Sequence, residues 1–198
     1  MTATEETIGY YDGNAKKFIA DTANIEFGAL QKTFADMLPE RGRILDLGCG
    51  SGRDSLAFLK AGFAVDAVDG SAEMVKAASE LTGLRVEHAT FADFEPRGAY
   101  DGIWACSSLL HVPAAELPAI VAKYAAALKP GGRFYLSFKI GDHDGMRNGR
   151  WFTDMTEHSF RRLIDNVEDL TVDRIGVTSD VRPGRSDEKW LNAWCMRI

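Results

Sequence analysis

The sequence predicts an α/β fold: a doubly wound, mainly parallel seven-stranded sheet with helices on both faces, an N-terminal helical cap and a C-terminal antiparallel hairpin. Three observations carry this. Between residues 43 and 138, short apolar runs bounded by Gly, Pro or Asp alternate with helical segments, the pattern of parallel βαβ units. The first of these runs opens into three alternate glycines and then a helix. The last two runs of the chain are joined only by a polar connection containing Pro and Gly, too short for a helical crossover, so they are expected to pair antiparallel.

Taken in order, residues 24–38 place Phe27, Leu30, Phe34 and Met37 at helical spacing and are stopped by Pro39, which describes an amphipathic helix ahead of the sheet. Strands are expected at 44–47, 64–68, 84–89, 100–105 and 133–138. The intervening helices end at Gly62, run from Ser71 to Gly83, and occupy about 118–128. Residues 141–150 are Gly-rich and charged and read as a mobile loop. A helix follows at 157–166 with Thr156 as N-cap, and the closing strands are 170–178 and 190–198.

The chain has 198 residues, 45% hydrophobic and 26% charged, enough for one domain with a sizeable core and unlike a disordered or fibrous chain. A division into residues 1–40 as a cap and 41–198 as the core is expected. The net charge of −6, with no dense Lys/Arg run, gives no bulk attraction to a nucleic-acid backbone. No apolar run approaches the roughly 20 residues of a membrane span, and residues 1–6 lack a basic segment followed by an apolar one. A cytoplasmic protein without membrane or nucleic-acid partners is expected. Cys49, Cys106 and Cys195 are far apart and lack paired spacing, so they read as free thiols rather than a disulfide framework or zinc site.

The segment Asp46-Leu47-Gly48-Cys49-Gly50-Ser51-Gly52 runs from a strand into a helix. Glycines there let the backbone approach a ligand, whose anionic end can meet free N–H groups at the helix start. Asp69 ends the second strand, where a carboxylate can accept from both hydroxyls of a ribose; Asp66 lies mid-strand. A dinucleotide-dependent oxidoreductase uses a related unit, but its G-x-G-x-x-G spacing would need glycine where Arg53 stands.

The glycine segment, Asp69, Ala92-Asp93-Phe94 and Leu128-Lys129-Pro130-Gly131-Gly132 together resemble the class I, Rossmann-like S-adenosylmethionine-dependent methyltransferases. The resemblance is close over residues 44–138. It implies S-adenosyl-L-methionine as cofactor, with Gly48 and Gly50 holding the methionine part and Asp46 near its amino group. It further implies Asp69 on the ribose, Asp93 accepting from the adenine amino group, and Phe94 and Met74 in apolar contact with the ring. In similar enzymes the segment around Tyr10, Tyr11 and Phe18 folds over the cofactor, and Tyr11 is expected as a contact to the sulfonium. A non-catalytic cofactor-binding module on the same fold is the remaining alternative.

After the fourth strand the chain continues Cys106-Ser107-Ser108-Leu109-Leu110-His111, where the family lines its acceptor pocket. His111 is the candidate general base. The Asn/Asp-Pro-Pro-aromatic step of amino-group base methylation, the Pro-Cys pair of cytosine C5 methylation and the aspartate of the catechol metal site are each missing from that stretch. No metal is called for: Asp142-His143-Asp144 are consecutive and rarely aim at one ion. Arg147, Arg150, Trp151 and Phe152 either bind an anionic or planar substrate or staple the loop to the core. With little spare length for a recognition domain, a small-molecule acceptor is expected; the methylated atom and the oligomeric state are not legible.

Overall fold

The computed structural model describes residues 1–22, 28–182 and 184–198. Two helices, α1 (Ala3–Thr22) and α2 (Gly28–Ala35), precede the sheet. The alternating core follows as β1 (Arg43–Leu47), α3 (Arg53–Lys60), β2 (Ala64–Asp69), α4 (Ala72–Thr82), β3 (Glu87–His88), β4 (Tyr100–Ala105), α5 (Leu117–Ala125) and β5 (Leu128–Lys139). The chain then adds a hairpin of β6 (Asp144–Arg147) and β7 (Arg150–Thr153), the helix α6 (Glu157–Asp165), and the long strands β8 (Leu170–Ser179) and β9 (Lys189–Arg197). Seven strands form one sheet in the order β3-β2-β1-β4-β5-β9-β8. Its first five strands pair in parallel, and β9 enters antiparallel to both β5 and β8.

The alternation of side chains along the central strands builds two cores. Ile103, Phe134, Leu136, Phe138 and Ala193 face one way and pack with residues of α5 and α6 such as Val121, Tyr124, Phe160 and Ile164. Trp104, Tyr135 and Trp194 face the other way and meet Phe34 and Phe58 from α2 and α3. The second set forms an aromatic ladder because register places Trp104 beside Tyr135 and Tyr135 beside Trp194. Trp104 and Tyr135 stack with centroids 4.0 Å apart and planes 14° from parallel. Burying such rings supplies a large apolar area, to which the offset stack adds on the order of 1 kcal/mol.

Local chemistry sets the helix boundaries. Ser71 caps α4 by accepting from the Met74 amide, and Gly83 ends it with φ of 73°. Thr156 caps α6 as the sequence suggests, with Ser159 completing a reciprocal box. The sheet reverses its order of addition between β1 and β4, which leaves a crevice at their carboxyl ends.

Several boundaries differ from expectation. The helix expected at 24–38 is observed as α2, with its stretch 24–27 outside the described residues and Met37 and Leu38 in the turn beyond it. The third strand shortens to two residues. The fifth begins at Leu128 and passes through Pro130-Gly131-Gly132 by way of a register shift between Tyr100 and Gly102. The segment read as a mobile loop is instead the β6–β7 hairpin. Its two turn residues, Asn148 and Gly149, have φ of 53° and 78°, the backbone that a two-residue hairpin with native twist demands. Asp144, part of the apparent metal triplet, accepts from Trp151 Nε1 and Thr153 Oγ1 and so belongs to the hairpin's own bonding.

Gly102 marks a close approach of α2 to the sheet. A Cβ there would lie 2.7 Å from Phe34 Cζ and 2.8 Å from Leu38 Cδ1. Overpacking of this kind costs about 1–3 kcal/mol. Gly102→Ala is therefore expected to lower the urea midpoint with an unchanged m-value; an unshifted midpoint would show that α2 yields without cost.

Candidate active site

A cavity of about 810 Å³ opens over the carboxyl ends of β1, β2 and β4. Its roof is α1, which contributes Thr7, Ile8, Tyr11 and Phe18. Its far wall comes from β7 and from the connection between β8 and β9.

The glycine turn is held to the neighbouring strand: the amides of Gly48 and Cys49 both donate to the Val68 carbonyl, at 2.9 and 3.0 Å. Gly48 has φ of 76°, and a Cβ on it would lie 2.5 Å from Ser108 Cβ. Backbone strain and the absence of room therefore both require glycine there. Gly50 has φ of 55°, and a Cβ on it would meet nothing within 4 Å, so its main chain borders open cavity rather than packed protein. Asp69 lines the same space. Its carboxylate oxygens accept from the amides of Gly50 at 2.8 Å and Ser71 at 2.9 Å, which fixes the group while leaving lone pairs for further donors. Burial holds its pKa above the ordinary carboxylate value, against the pull of those two amides. Asp66 faces elsewhere and pairs with Arg43 and the Tyr100 hydroxyl.

Asp46 is 2% exposed and accepts from Ser55 Oγ at 2.5 Å. Burial first, and the neighbouring Asp54 second, push its pKa far up. Asp54 itself accepts from Gln31, Arg53 and Trp104. Met74 is buried in the first turn of α4 and lines the cavity.

Two expected ring contacts fall differently. Phe94 lies in the core with Tyr124 and Leu128 and is not part of the cavity wall. Its amide closes a turn onto the Thr90 carbonyl; Phe91, three positions earlier, faces the cavity in its place. Asp93 is exposed, lies outside the wall, and accepts from the Thr90 hydroxyl at 2.7 Å.

His111 ends a short 3-10 turn, Leu109–His111, just beyond β4. Nδ1 lies 2.6 Å from the Trp151 carbonyl oxygen and Nε2 lies 2.8 Å from the Tyr11 hydroxyl. A carbonyl oxygen only accepts, so Nδ1 carries the hydrogen; Nε2 is then the acceptor in the neutral ring and Tyr11 donates to it. Burial lowers the imidazole pKa to about 4, opposed by the bond to Trp151. Burial likewise raises the Tyr11 phenol above its ordinary value, with Arg150 acting the other way. The pair therefore rests as neutral phenol and neutral imidazole at pH 7. Thr7 also accepts from the Trp151 amide, and Asp12 accepts from Ser71 Oγ at 2.6 Å, so α1 is fastened to the hairpin, to the 3-10 turn and to α4.

The wall between β8 and β9 was not singled out by any motif. It carries an Asp180–Arg182 ion pair, a Lys139–Glu188 ion pair and Trp190. These residues sit in a polar stretch with no periodicity, and only the antiparallel placement of β8 and β9 brings them to the site.

The model of the methyltransferase domain family matches residues 44–132. That stretch contains the glycine turn, Asp69 and the whole of β4. Over those residues the chain is similar to the methyltransferase domain family. The ubiquinone biosynthesis O-methyltransferase of Xanthomonas axonopodis pv. citri is 35% identical over 115 residues, covering 54% of this chain and 47% of that protein. The protein of the same description from Xanthomonas oryzae pv. oryzae is 37% identical over 103 residues, covering 48% and 42%. The chain thus spans less than half the length of these relatives. Among solved structures, the magnesium protoporphyrin IX methyltransferase of Synechocystis PCC 6803 with bound S-adenosylmethionine superposes with a TM-score of 0.73 at 20% identity, covering 100% of this chain and 98% of the other. The 1,6-didemethyltoxoflavin-N1-methyltransferase of Burkholderia thailandensis gives 0.73 at 21% identity, covering 96% and 85%.

The depressed pKa of His111 has a signed consequence. The unfolded ring titrates near 6.5 and the folded one near 4, so between these values the unfolded state binds the extra proton. The stabilisation is complete above pH 6.5 and is lost as pH falls toward 4. His111→Asn should flatten that limb of a stability-against-pH curve measured by urea unfolding; an unchanged slope between pH 6.5 and 4 would place the ring in solvent.

Proposed function

We propose that this chain binds S-adenosyl-L-methionine in the cavity below α1 and transfers its methyl group to a small-molecule acceptor by direct displacement. The observation that carries the reading is the joint placement of the open Gly50 main chain and the anchored Asp69 carboxylate on one cavity wall. These residues fit a nucleoside with a charged tail. Asp69 would take the ribose hydroxyls, Gly48 and Gly50 the methionine part, and Met74 and Phe91 the apolar edges of the base. Asp46 would sit near the amino group, Tyr11 near the sulfonium, and Asp93 would need to turn from Thr90 to accept from adenine.

When bound, the cofactor supplies an electrophilic methyl on a cationic sulfur. The protein's part is to align the acceptor atom with that carbon and to exclude water. The roof helix does both, because its bonds to His111, Trp151 and Ser71 close the cavity. For an acceptor that must lose a proton, His111 would act through Tyr11, whose hydroxyl lies 2.8 Å from Nε2 and lines the same cavity. The proton passes to the Tyr11 oxygen as the Tyr11 proton passes to Nε2, leaving an imidazolium whose Nδ1–H stays on the Trp151 carbonyl. With its pKa near 4 the ring is a weak base, so this route suits acceptors whose acidity rises as the new bond forms.

The dinucleotide-dependent alternative fits less well. Its sheet runs 3-2-1-4-5-6 in parallel, whereas here antiparallel β9 stands between β5 and β8. The non-catalytic alternative is decided by assay. The reading further takes residues 1–198 as one methyltransferase domain capped by 1–40, working in the cytoplasm with its cysteines reduced and without a nucleic-acid partner. Among the described residues no helix is long and apolar enough to cross a membrane.

Calorimetry is expected to show binding of S-adenosylmethionine and S-adenosylhomocysteine and none of NAD. Asp69→Ala should weaken S-adenosylhomocysteine at least about tenfold, since charge-assisted hydrogen bonds are worth roughly 1.5–3 kcal/mol each. NAD binding without response to either adenosyl ligand, or an unchanged constant in a folded Asp69→Ala protein, would overturn the reading.

A further inference from the structure

The arginine and aromatic cluster around β7 divides into two functions. Arg147 is neutralised by a two-pronged contact with Asp154, at 2.8 and 2.9 Å. Trp151 is tied to Asp144 and Thr153 through its indole nitrogen. These two fasten the hairpin. Arg150 does not share their arrangement: among the described residues no carboxylate approaches its guanidinium within 4.0 Å. Its one hydrogen bond there runs from Nη1 to the Tyr11 hydroxyl at 3.3 Å, and its Nε is buried without a partner.

The environment holds this charge in place without neutralising it. The guanidinium carbon lies 4.4 Å from the Tyr10 ring centroid, 5.0 Å from Phe152 and 5.6 Å from Tyr11. The hairpin turn locks the base of the cage, because a Cβ at Gly149 would come within 3.1 Å of Tyr10. Rings attract a cation but offer no acceptor for its N–H groups, and a half-buried guanidinium left with most donors unfilled is costly unless something supplies oxygen. Arg150 lines the cavity. The other arginines of that wall are ion-paired, as Arg182 with Asp180 and Arg53 with Asp54. Lys139 pairs with Glu188, and exposed Lys189 reaches Ser179 and Ser186. Among the described residues Arg150 is thus the half-buried cation of that wall without a carboxylate partner, and such a cation fits one negative charge.

Building on the methyltransferase reading above, we propose that Arg150 is the recognition group for the acceptor, and that the acceptor is a small carboxylate. A guanidinium meets a carboxylate with two parallel N–H···O bonds, which fix orientation as well as position. Because Tyr11 Oη touches both Arg150 Nη1 and His111 Nε2, an acceptor anchored there lies beside the phenol and imidazole pair. The aromatic cage suits a flat acceptor, and a monoanion suits a single arginine better than a phosphate dianion does.

The test uses benzoate and its neutral isostere benzamide, titrated by calorimetry into the full chain with and without saturating S-adenosylhomocysteine. Wild-type protein is expected to bind benzoate at least about tenfold more tightly than benzamide. Arg150→Met, which keeps the apolar stem in the cage, should abolish that preference with S-adenosylhomocysteine affinity unchanged, and Arg150→Lys should retain part of it. Equal binding of the two probes, no benzoate binding at millimolar concentration, or a preference that survives Arg150→Met would overturn the proposal. So would a loss of S-adenosylhomocysteine affinity in Arg150→Met, which would assign the guanidinium to the cofactor's own carboxylate. If wild type fails to bind S-adenosylhomocysteine, the cofactor reading falls, and the titration without it still decides Arg150.

Discussion

The site depends on one imidazole. His111 stands at the end of β4, receives the hydroxyl of Tyr11 from the roof helix, and gives its other nitrogen to the main chain of β7. Three elements distant in sequence are thereby joined at a ring that burial keeps uncharged. Were the ring protonated, Nε2 would become a donor facing the Tyr11 oxygen, and the phenol would have to turn its hydrogen elsewhere. The neutral state is therefore a structural requirement of the closed roof as much as a feature of the chemistry below it.

The remainder of the cavity follows from where the sheet changes direction. Strands β1 and β4 are neighbours that were laid down in opposite directions across the sheet, so their carboxyl ends part and leave space. Gly48 and Gly50 bring backbone to the edge of that space, and Asp69 is fastened to the same backbone through the Gly50 amide. The loop and its acid thus form one rigid unit. The aromatic ladder of Trp104, Tyr135 and Trp194 lies under the strands that carry it, and Trp104 reaches through to Asp54 at 2.8 Å. Burial raises the pKa of Asp46, and the neighbouring Asp54 adds to that rise.

The parts of this arrangement legible in the sequence are the ones set by local rules. Strand alternation, the glycine turn, the acid at the end of β2 and the caps at Ser71 and Thr156 each depend on neighbours a few residues away. The Asn148-Gly149 pair was also a local signal, since it is the preferred sequence of a two-residue hairpin; the surrounding charge and glycine content read as a loop obscured it. Phe91 and Phe94 were indistinguishable by spacing, because the turn between them decides which one faces the core. The bond between Tyr11 and His111 spans a hundred positions, and the wall from Asp180 to Trp190 has no pattern of its own. Both arise only when β9 inserts between β5 and β8 and the roof helix settles on β7.

The most direct measurement is the protonation and tautomer of His111 by nitrogen-detected NMR at pH 7 on the ligand-free protein. The structure requires a neutral ring with its proton on Nδ1 and an unprotonated Nε2 shifted by the Tyr11 hydroxyl. A proton on Nε2, or an imidazolium at that pH, would contradict it.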